Sequence, residues 1–549
     1  MKHYAETVAF LGQWGRFQQV VFFLLCASIV ANGFGAFTLV FLTDTPRHHC
    51  RVPDVNLTED WRNFTIPFEV VDGKQELSRC SRYRLDVIRN LSAQGYVPSR
   101  DVSLTDLEQE GCVDGWVYST DIYQSTVVSE FDLVCGDEWK QPFTSTVYFV
   151  GSLMGSFLSG KLSDRFGRKP VLFVTMALQA VCTFLQSYSN SWLLFTILLF
   201  ISGLGQVSNY VAGLVLGAEI LTGHVRVLYS SLGTCFGFAV GYMMLPVFAY
   251  FIRDWRNLLL ALAVVGAVYL PFWWLIPESP RWLLSHGRVE EAEAIVRKAA
   301  KWNKCQAPME IFADYCTPLK EKYGVFDLLR TSNIRITTLI LSFVALVFTI
   351  TTGYFALCYN TPQLHANPYL SCFISAVTEL PAYISCWLAL RFWPRRLSLI
   401  AALLVGAVSL YSIQLVPNGK TESDFKILTC NTRKPNSKRF NTTFNCSTTI
   451  YILYLIKLYP TPLRNTATGA TGTISRLGSC PFVFLGIYFK FLPYIILGTV
   501  SLLAALSTFF MPESFQKPLP ETIEQMQNSK RYYFGTFHVV SSLSKVLSF

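Results

Sequence analysis

The sequence predicts an all-α polytopic membrane protein built as two six-helix halves. Three observations carry that prediction. Of 549 residues, 51% are hydrophobic and only 15% are charged, against roughly 25% charged in soluble domains. A soluble core cannot absorb that apolar excess. Apolar runs recur near residues 18–43, 142–162, 170–189, 192–216, 227–251, 257–276, 336–357, 369–390, 397–416, 466–489 and 491–511, each close to the ~20 residues a bilayer requires. The chain also repeats itself. Pro277-Glu278-Ser279 closes the sixth run and Pro512-Glu513-Ser514 the last, 235 residues later. Arg226, seven residues after Glu219, is echoed by Arg464, seven after Lys457, and the basic stretch Arg391–Arg396 echoes 160–169. A duplicated six-span bundle sets its site between the halves, near the bilayer middle.

The N-terminal half covers residues 1–276. Residues 1–17 are polar and the first apolar run is too long for a signal core, so no cleavable signal peptide is expected. Residues 44–141 form an ectodomain carrying Cys50, Cys80, Cys112 and Cys135 with the sequons of Asn56, Asn63 and Asn90. Glycan acceptors and an even cysteine count suit an oxidising extracellular face and two disulfides. Three pairings remain open. Zinc held by Cys50, His48 and His49 is a weaker alternative, because CxxC spacing is absent. Between the second and third runs lies Gly160-Lys-Leu-Ser-Asp-Arg-Phe-Gly-Arg-Lys169, read as a basic cytosolic hinge. Lys161, Arg165, Arg168 and Lys169 orient the chain by the positive-inside rule. Asp164 beside Arg165 reads as an ion pair. The net charge of +10 belongs to such loops and implies no nucleic-acid partner.

Residues 277–335 form a central cytosolic loop whose charged stretch from Val289 has helical spacing and reads as a solvated helix. The C-terminal half covers 336–515, and 516–549 is a cytosolic tail. The tenth span is degraded. Lys420, Glu422, Asp424, Lys426, Arg433, Lys434, Lys438 and Arg439 fall where it belongs, and only Thr449–Leu458 is apolar. Ten helical residues cover about 15 Å of a core about 30 Å thick.

Polar groups within lipid-length helices are costly, so each is a site candidate. Arg476 lies mid-run and needs an acidic partner or an anionic ligand such as a substrate carboxylate. Asn32, Gln179 and Asn209 offer amide oxygens at bilayer depth, suited to a partly dehydrated sodium ion or to plain interhelical hydrogen bonds. Tyr354 and Phe355 after Gly353, with Tyr210 and Trp387, are aromatic candidates for holding a quaternary ammonium. Glu219 with Arg226 suits a cytosolic gate pair. Glu379, beside Pro381, suits either ion coupling or helix pinning. No H-E-x-x-H, G-x-S-x-G or phosphate loop is present, so neither an enzyme nor ATP-driven pumping is expected.

The hinge 160–169 resembles the G-x-x-x-D-R-x-G-R-K/R signature of the major facilitator superfamily. Further segments resemble solute carrier family 22, in particular its carnitine/organic cation branch. They are Phe10-Leu-Gly-Gln-Trp-Gly, His49-Cys-Arg-Val-Pro-Asp, Cys112-Val-Asp-Gly-Trp, Gln206-Val-Ser-Asn-Tyr-Val, Pro277-Glu-Ser-Pro-Arg-Trp and Ser475-Arg-Leu-Gly-Ser. The resemblance implies a major facilitator fold and plasma-membrane uptake of carnitine coupled to sodium, with no other cofactor. It implies that Arg476 binds the carboxylate and that Asn32, Gln179 and Asn209 lie at the sodium site. Asp164, Arg165, Gly167, Arg168, Glu219, Arg226, Glu278 and Arg281 would form the cytosolic gate. Two rival readings stand beside it. One is a sodium-independent organic cation or ergothioneine carrier. The other is a non-transporting degenerate paralogue or faulty gene model, motivated by the tenth span.

Overall fold

The computed structural model describes residues 4–53, 57–71, 74–98, 100–104, 107–312, 332–350, 368–414, 458–459, 467, 470–471, 473–474 and 492–511. Six long helices form the N-terminal half. They are α1 (Arg16–Leu42), α2 (Lys140–Phe166), α3 (Arg168–Ser187), α4 (Trp192–Ile220), α5 (Gly223–Phe251) and α6 (Trp255–Tyr269, continuing as a tighter turn to Trp274). α5 contains a π-helical turn at Tyr229–Gly233. Two helices of the central loop follow, α7 (Pro280–Ser285) and α8 (Val289–Asn303). In the second half, α9 (Ser332–Ile350), α10 (Pro368–Phe392), α11 (Arg395–Gln414) and α12 (Leu492–Thr508) are described. The tenth-span region 417–456 lies outside the described residues. Just beyond it, Tyr459 is fully buried and its hydroxyl lies 2.7 Å from that of Thr338 in α9.

Six described helices are long and apolar enough to cross a membrane: α1, α3, α4, α5, α6 and α10. α2 is as long as α1 but more polar, and it is held by close backbone contact. A methyl at Gly151 or Gly155 would collide with the carbonyl of Phe200 or Leu204 on α4. Small residues let helices approach in this way where lipid gives no hydrophobic drive. The structure revises the hinge. α2 runs unbroken to Phe166, so the turn into α3 is Gly167 alone, at φ 105° and ψ 160°, a backbone region essentially reserved for glycine.

Three apolar clusters organise the bundle. One joins the halves, with Phe37, Tyr242 and Leu245 packed in the same core as Leu341, Tyr369, Ala376 and Tyr459. One lies at the extracellular end of the N-terminal half. The third lies at the cytosolic end, where α8 packs on the chain's own N-terminal segment. α8 is therefore solvated on one face only. Ala292, Val296, Ala299 and Ala300 are buried with Tyr4, Val8, Leu11 and Phe17. Its last residue, Asn303, clasps that segment: Nδ2 donates to the Leu11 carbonyl (3.0 Å) and to Gln18 Oε1 (2.8 Å), and Oδ1 accepts from the Phe17 amide (3.0 Å).

The ectodomain is small and stapled. Three two-stranded antiparallel sheets pair β1 (His48–Cys50) with β6 (Trp116–Tyr118), β2 (Phe68–Val71) with β3 (Lys74–Leu77), and β4 (Ser81–Tyr83) with β5 (Gln109–Gly111). Trp61, Tyr83 and Ile88 make its core. Disulfides join Cys50 to Cys112 and Cys80 to Cys135. That commits Cys50 and removes the alternative zinc set with His48 and His49. Asn63 and Asn90 are exposed, and Asn56 lies outside the described residues.

Candidate functional site

The end of the N-terminal half that faces the central loop is an ionic knot built around Arg168. This first residue of α3 is 5% exposed. Its guanidinium reaches Asp164 Oδ1 at 2.5 Å, Glu219 Oε1 at 3.3 Å and Ser163 Oγ at 2.9 Å. Glu278 sits at the N-terminus of α3 and accepts from the backbone amides of Arg168 (3.0 Å) and Lys169 (3.2 Å). Those amides have no partner within the helix, and the positive end of the helix favours an anion there. Burial pushes the Glu278 carboxyl above its ordinary range, while hydrogen bonds from the Ser279, Lys169 and Arg168 amides pull it back. A Cβ at Gly167 would stand 2.5 Å from Glu278 Oε2, so the same glycine that permits the turn makes room for the carboxylate. Trp282 Nε1 donates to the Asp164 carbonyl at 3.0 Å, fastening α7 to the knot. Arg281 lies 4.7 Å from the Tyr4 ring centre.

Two expected pairings differ. Asp164 at the end of α2 pairs with Arg168 at the start of α3, and not with adjacent Arg165. Residues one apart on a helix point to different faces, whereas the Gly167 turn between α2 and α3 brings Arg168 to Asp164. Arg165 is exposed and lies against the Phe166 ring. Glu219 is engaged by Arg168 from α3, not by Arg226. The chain leaves the helix at Leu221–Thr222 before Arg226, so the seven-residue spacing does not stack the two side chains.

Higher in the bundle, polar side chains gather without being satisfied. Both side-chain polar atoms of Asn32 on α1 and of Asn209 on α4 are buried with no hydrogen-bond partner, as is Gln179 Oε1 on α3. Leaving such groups unmade costs about 1–3 kcal/mol each, a cost that an ion or water in contact would relieve. Gln206, one turn before Asn209, organises the surroundings. It donates to the Asn32 carbonyl at 2.8 Å and accepts from the Tyr148 hydroxyl. Gln179 and Gln206 both crowd Gly35 of α1, where a Cβ would meet Nε2 of Gln179 at 3.0 Å. A cavity of about 50 Å³ opens beside them, lined by Gly35, Thr38, Tyr148, Gln179, Thr183 and Gln186. That is room for a small hydrated species. Asn32, Gln179 and the Gln206 turn of α4 therefore do converge.

Between the halves, Glu379 of α10 is 1% exposed and accepts from the Tyr383 hydroxyl at 3.1 Å. Tyr383 lies within electrostatic range of Tyr210 on α4 and Cys235 on α5, so an acid and two phenols sit where α10 meets the N-terminal half. Trp387, one turn beyond, is half-buried. Arg476, Tyr354 and Phe355 lie outside the described residues. Sequence reasoning did not single out Trp282, Ser163 or Tyr369. Gln206 was legible as one of the polar residues of the fourth run that favour a sodium site, and Tyr148 and Tyr383 as two of many aromatics that could line a cavity.

A bundle of membrane-length apolar helices that also buries polar groups and a charged knot has the features of a membrane transporter. The Major Facilitator Superfamily pattern matches residues 139–483. The partially occluded, inward-open xylose transporter XylE of E. coli superposes with a TM-score of 0.59 at 16% identity, over 92% of this chain and all of that one. The chain is 50% identical to rat organic cation/carnitine transporter 2 over 96% of its length and 95% of the relative's. It is 48% identical to mouse solute carrier family 22 member 4 over 98% of both. The protein belongs to solute carrier family 22 of the major facilitator superfamily.

Proposed function

We propose that the protein is a plasma-membrane carrier that takes up carnitine or a related onium compound, driven by sodium. The observation that carries this reading is the half-identity, over nearly the full chain, to relatives named for organic cations and carnitine. The local chemistry agrees with it. Glu379, Tyr383 and Tyr210 offer a negative charge and aromatic faces for the ammonium end, each cation–π contact being worth about 0.5–2 kcal/mol. Arg476 is the candidate for the carboxylate end. Sodium is cargo, assigned to the unpartnered amides of Asn32, Gln179 and Asn209, whose oxygens suit a hard monovalent cation. The knot at Asp164, Arg168, Glu219 and Glu278, with Gly167 and Arg281, is assigned to the cytosolic gate, together with Arg165 and Arg226 at its rim. Asn63 and Asn90 are assigned glycans.

The test is uptake of radiolabelled carnitine and tetraethylammonium by expressing cells, with sodium present or replaced by N-methylglucamine. Carnitine uptake should depend on sodium, and Arg476→Ala should abolish it more than tetraethylammonium uptake. Equal carnitine uptake in both buffers rejects sodium coupling and favours the sodium-independent reading, for which the buried Glu379 supplies the counter-charge. Uptake of neither compound rejects the onium reading.

A further inference from the structure

At the ectodomain end of the bundle, one side chain of α10 enters the N-terminal half. Tyr369, at the start of α10, is 7% exposed and surrounded by three rings of the N-terminal half. Phe41 of α1 stacks on it at 5.6 Å and 11°. Tyr123, from the end of the ectodomain, meets it edge-on at 5.8 Å and 62°. Tyr250 of α5 meets it at 5.8 Å and 87°. The Tyr369 hydroxyl donates to the Ile122 carbonyl at 2.9 Å. Tyr123 in turn donates to Asp44 Oδ2 at 2.7 Å, so a carboxylate stands behind one wall. The guanidinium of Arg253 lies over the Tyr250 ring at 5.7 Å. Two of the walls, Tyr123 and Tyr250, are tied through their neighbours: the Gln124 amide donates to the Arg253 carbonyl (3.1 Å), and Ser125 bonds to Asp254.

The walls thus belong to one half and the occupant to the other. When the halves part, Tyr369 leaves with α10 and a three-sided aromatic box remains, backed by an acid. Aromatic boxes of this form hold quaternary ammonium groups through the negative faces of the rings. We propose that Phe41, Tyr123 and Tyr250 form an onium-binding cage at the extracellular mouth, with Asp44 as its counter-charge and Tyr369 as the plug that fills it when the mouth is shut. Ligand and plug exclude each other. An external tetraalkylammonium or trimethylammonium group therefore holds the mouth open, and the mouth closes once the cation has moved inward. Arg253 at the rim meets the carboxylate of a zwitterion but has no counterpart in a simple cation. This inference rests on the onium reading above and adds a second site to it.

The experiment uses the full-length protein in intact cells and two measurements. Cys372, one turn beyond Tyr369, is 3% exposed and serves as a reporter for a membrane-impermeant thiol reagent, with Cys372→Ser setting the background. External tetraethylammonium should raise Cys372 labelling severalfold. Phe41→Leu and Tyr250→Leu should abolish that rise and increase the apparent KM for tetraethylammonium uptake about fivefold or more, with surface protein measured by biotinylation. Tyr250 is 48% exposed, so its replacement disturbs packing least and carries the test if Phe41→Leu reaches the surface poorly. Asp44→Asn should raise the KM for tetraethylammonium. Labelling that ignores tetraethylammonium, or an unchanged KM in Tyr250→Leu, overturns the cage. A wild-type protein that transports no onium but still shows the labelling response separates the cage from the transport reading, which alone then fails.

Discussion

Two ends of the helical bundle are held by different chemistry. At one end, Arg168, Asp164, Glu219 and Glu278 are joined by ion pairs and charge-assisted bonds, the first three from the N-terminal half and Glu278 from the start of the central loop. At the extracellular end the contact crosses between halves and is made of stacked rings around Tyr369. Removing one member of a buried ion pair costs about 3–5 kcal/mol, whereas an aromatic pair contributes about 0.5–1.5 kcal/mol beyond its buried area. A charge knot ties helix ends into a unit that moves as one. Stacked rings suit a seal that opens and shuts in every cycle.

Four experiments break or sharpen that contrast. The largest effect is expected for Arg168→Ala, which strands Glu219 and Ser163. The loss should be about 3 kcal/mol, at the low end because Asp164 is half exposed. It should appear as at least a tenfold fall in uptake and surface protein. Gly167→Ala follows at about 1–3 kcal/mol, from the glycine-only backbone and the collision with Glu278. Its thermal midpoint in detergent should fall clearly, whereas a Gly160→Ala control, with nothing near its Cβ, should not change. Tyr369→Phe keeps the ring and loses one hydrogen bond, about 1 kcal/mol. The mouth equilibrium should then shift roughly fivefold toward open, read as faster Cys372 labelling.

The smallest effect is a pH slope at Asp44, whose carboxyl burial pushes up while Tyr123 and the Thr45 amide pull it back. Protonation is thus favoured in the shut mouth. Closure should be strongest below the ordinary aspartate value near ~4 and should weaken as pH rises through the elevated one. Tyr369 and Arg253 also face this region. Cys372 labelling should slow as external pH falls across that window, and a slope that survives in Asp44→Asn would exclude Asp44 as its source.

The spans were legible because lipid length and hydropathy are local properties. The run predicted at 18–43 is the helix Arg16–Leu42, and that at 369–390 is Pro368–Phe392. Helix ends were less legible, because hydropathy reports the membrane while the helix follows its hydrogen bonds into water. That is why α2 continues through Lys161, Asp164 and Arg165 to Phe166. Adjacent charges at Asp164 and Arg165 suggested a pair, but the helix ends at Phe166 and the Gly167 turn brings Arg168 of α3 to Asp164. Asn32 and Gln179 were legible as expensive polar groups in apolar runs. Tyr369 was not, since a tyrosine at a span end is ordinary and its three neighbours are remote in sequence.

One amide at the end of the second helix of the central loop has a mechanical consequence. Because Asn303 grips Leu11, Phe17 and Gln18 at once, this helix cannot travel independently of the first membrane crossing. It rides with it as an outrigger. Any rocking of one bundle against the other must then be taken up downstream of residue 303, so the effective pivot on the cytosolic side lies later in the chain than the last crossing of the first bundle would suggest.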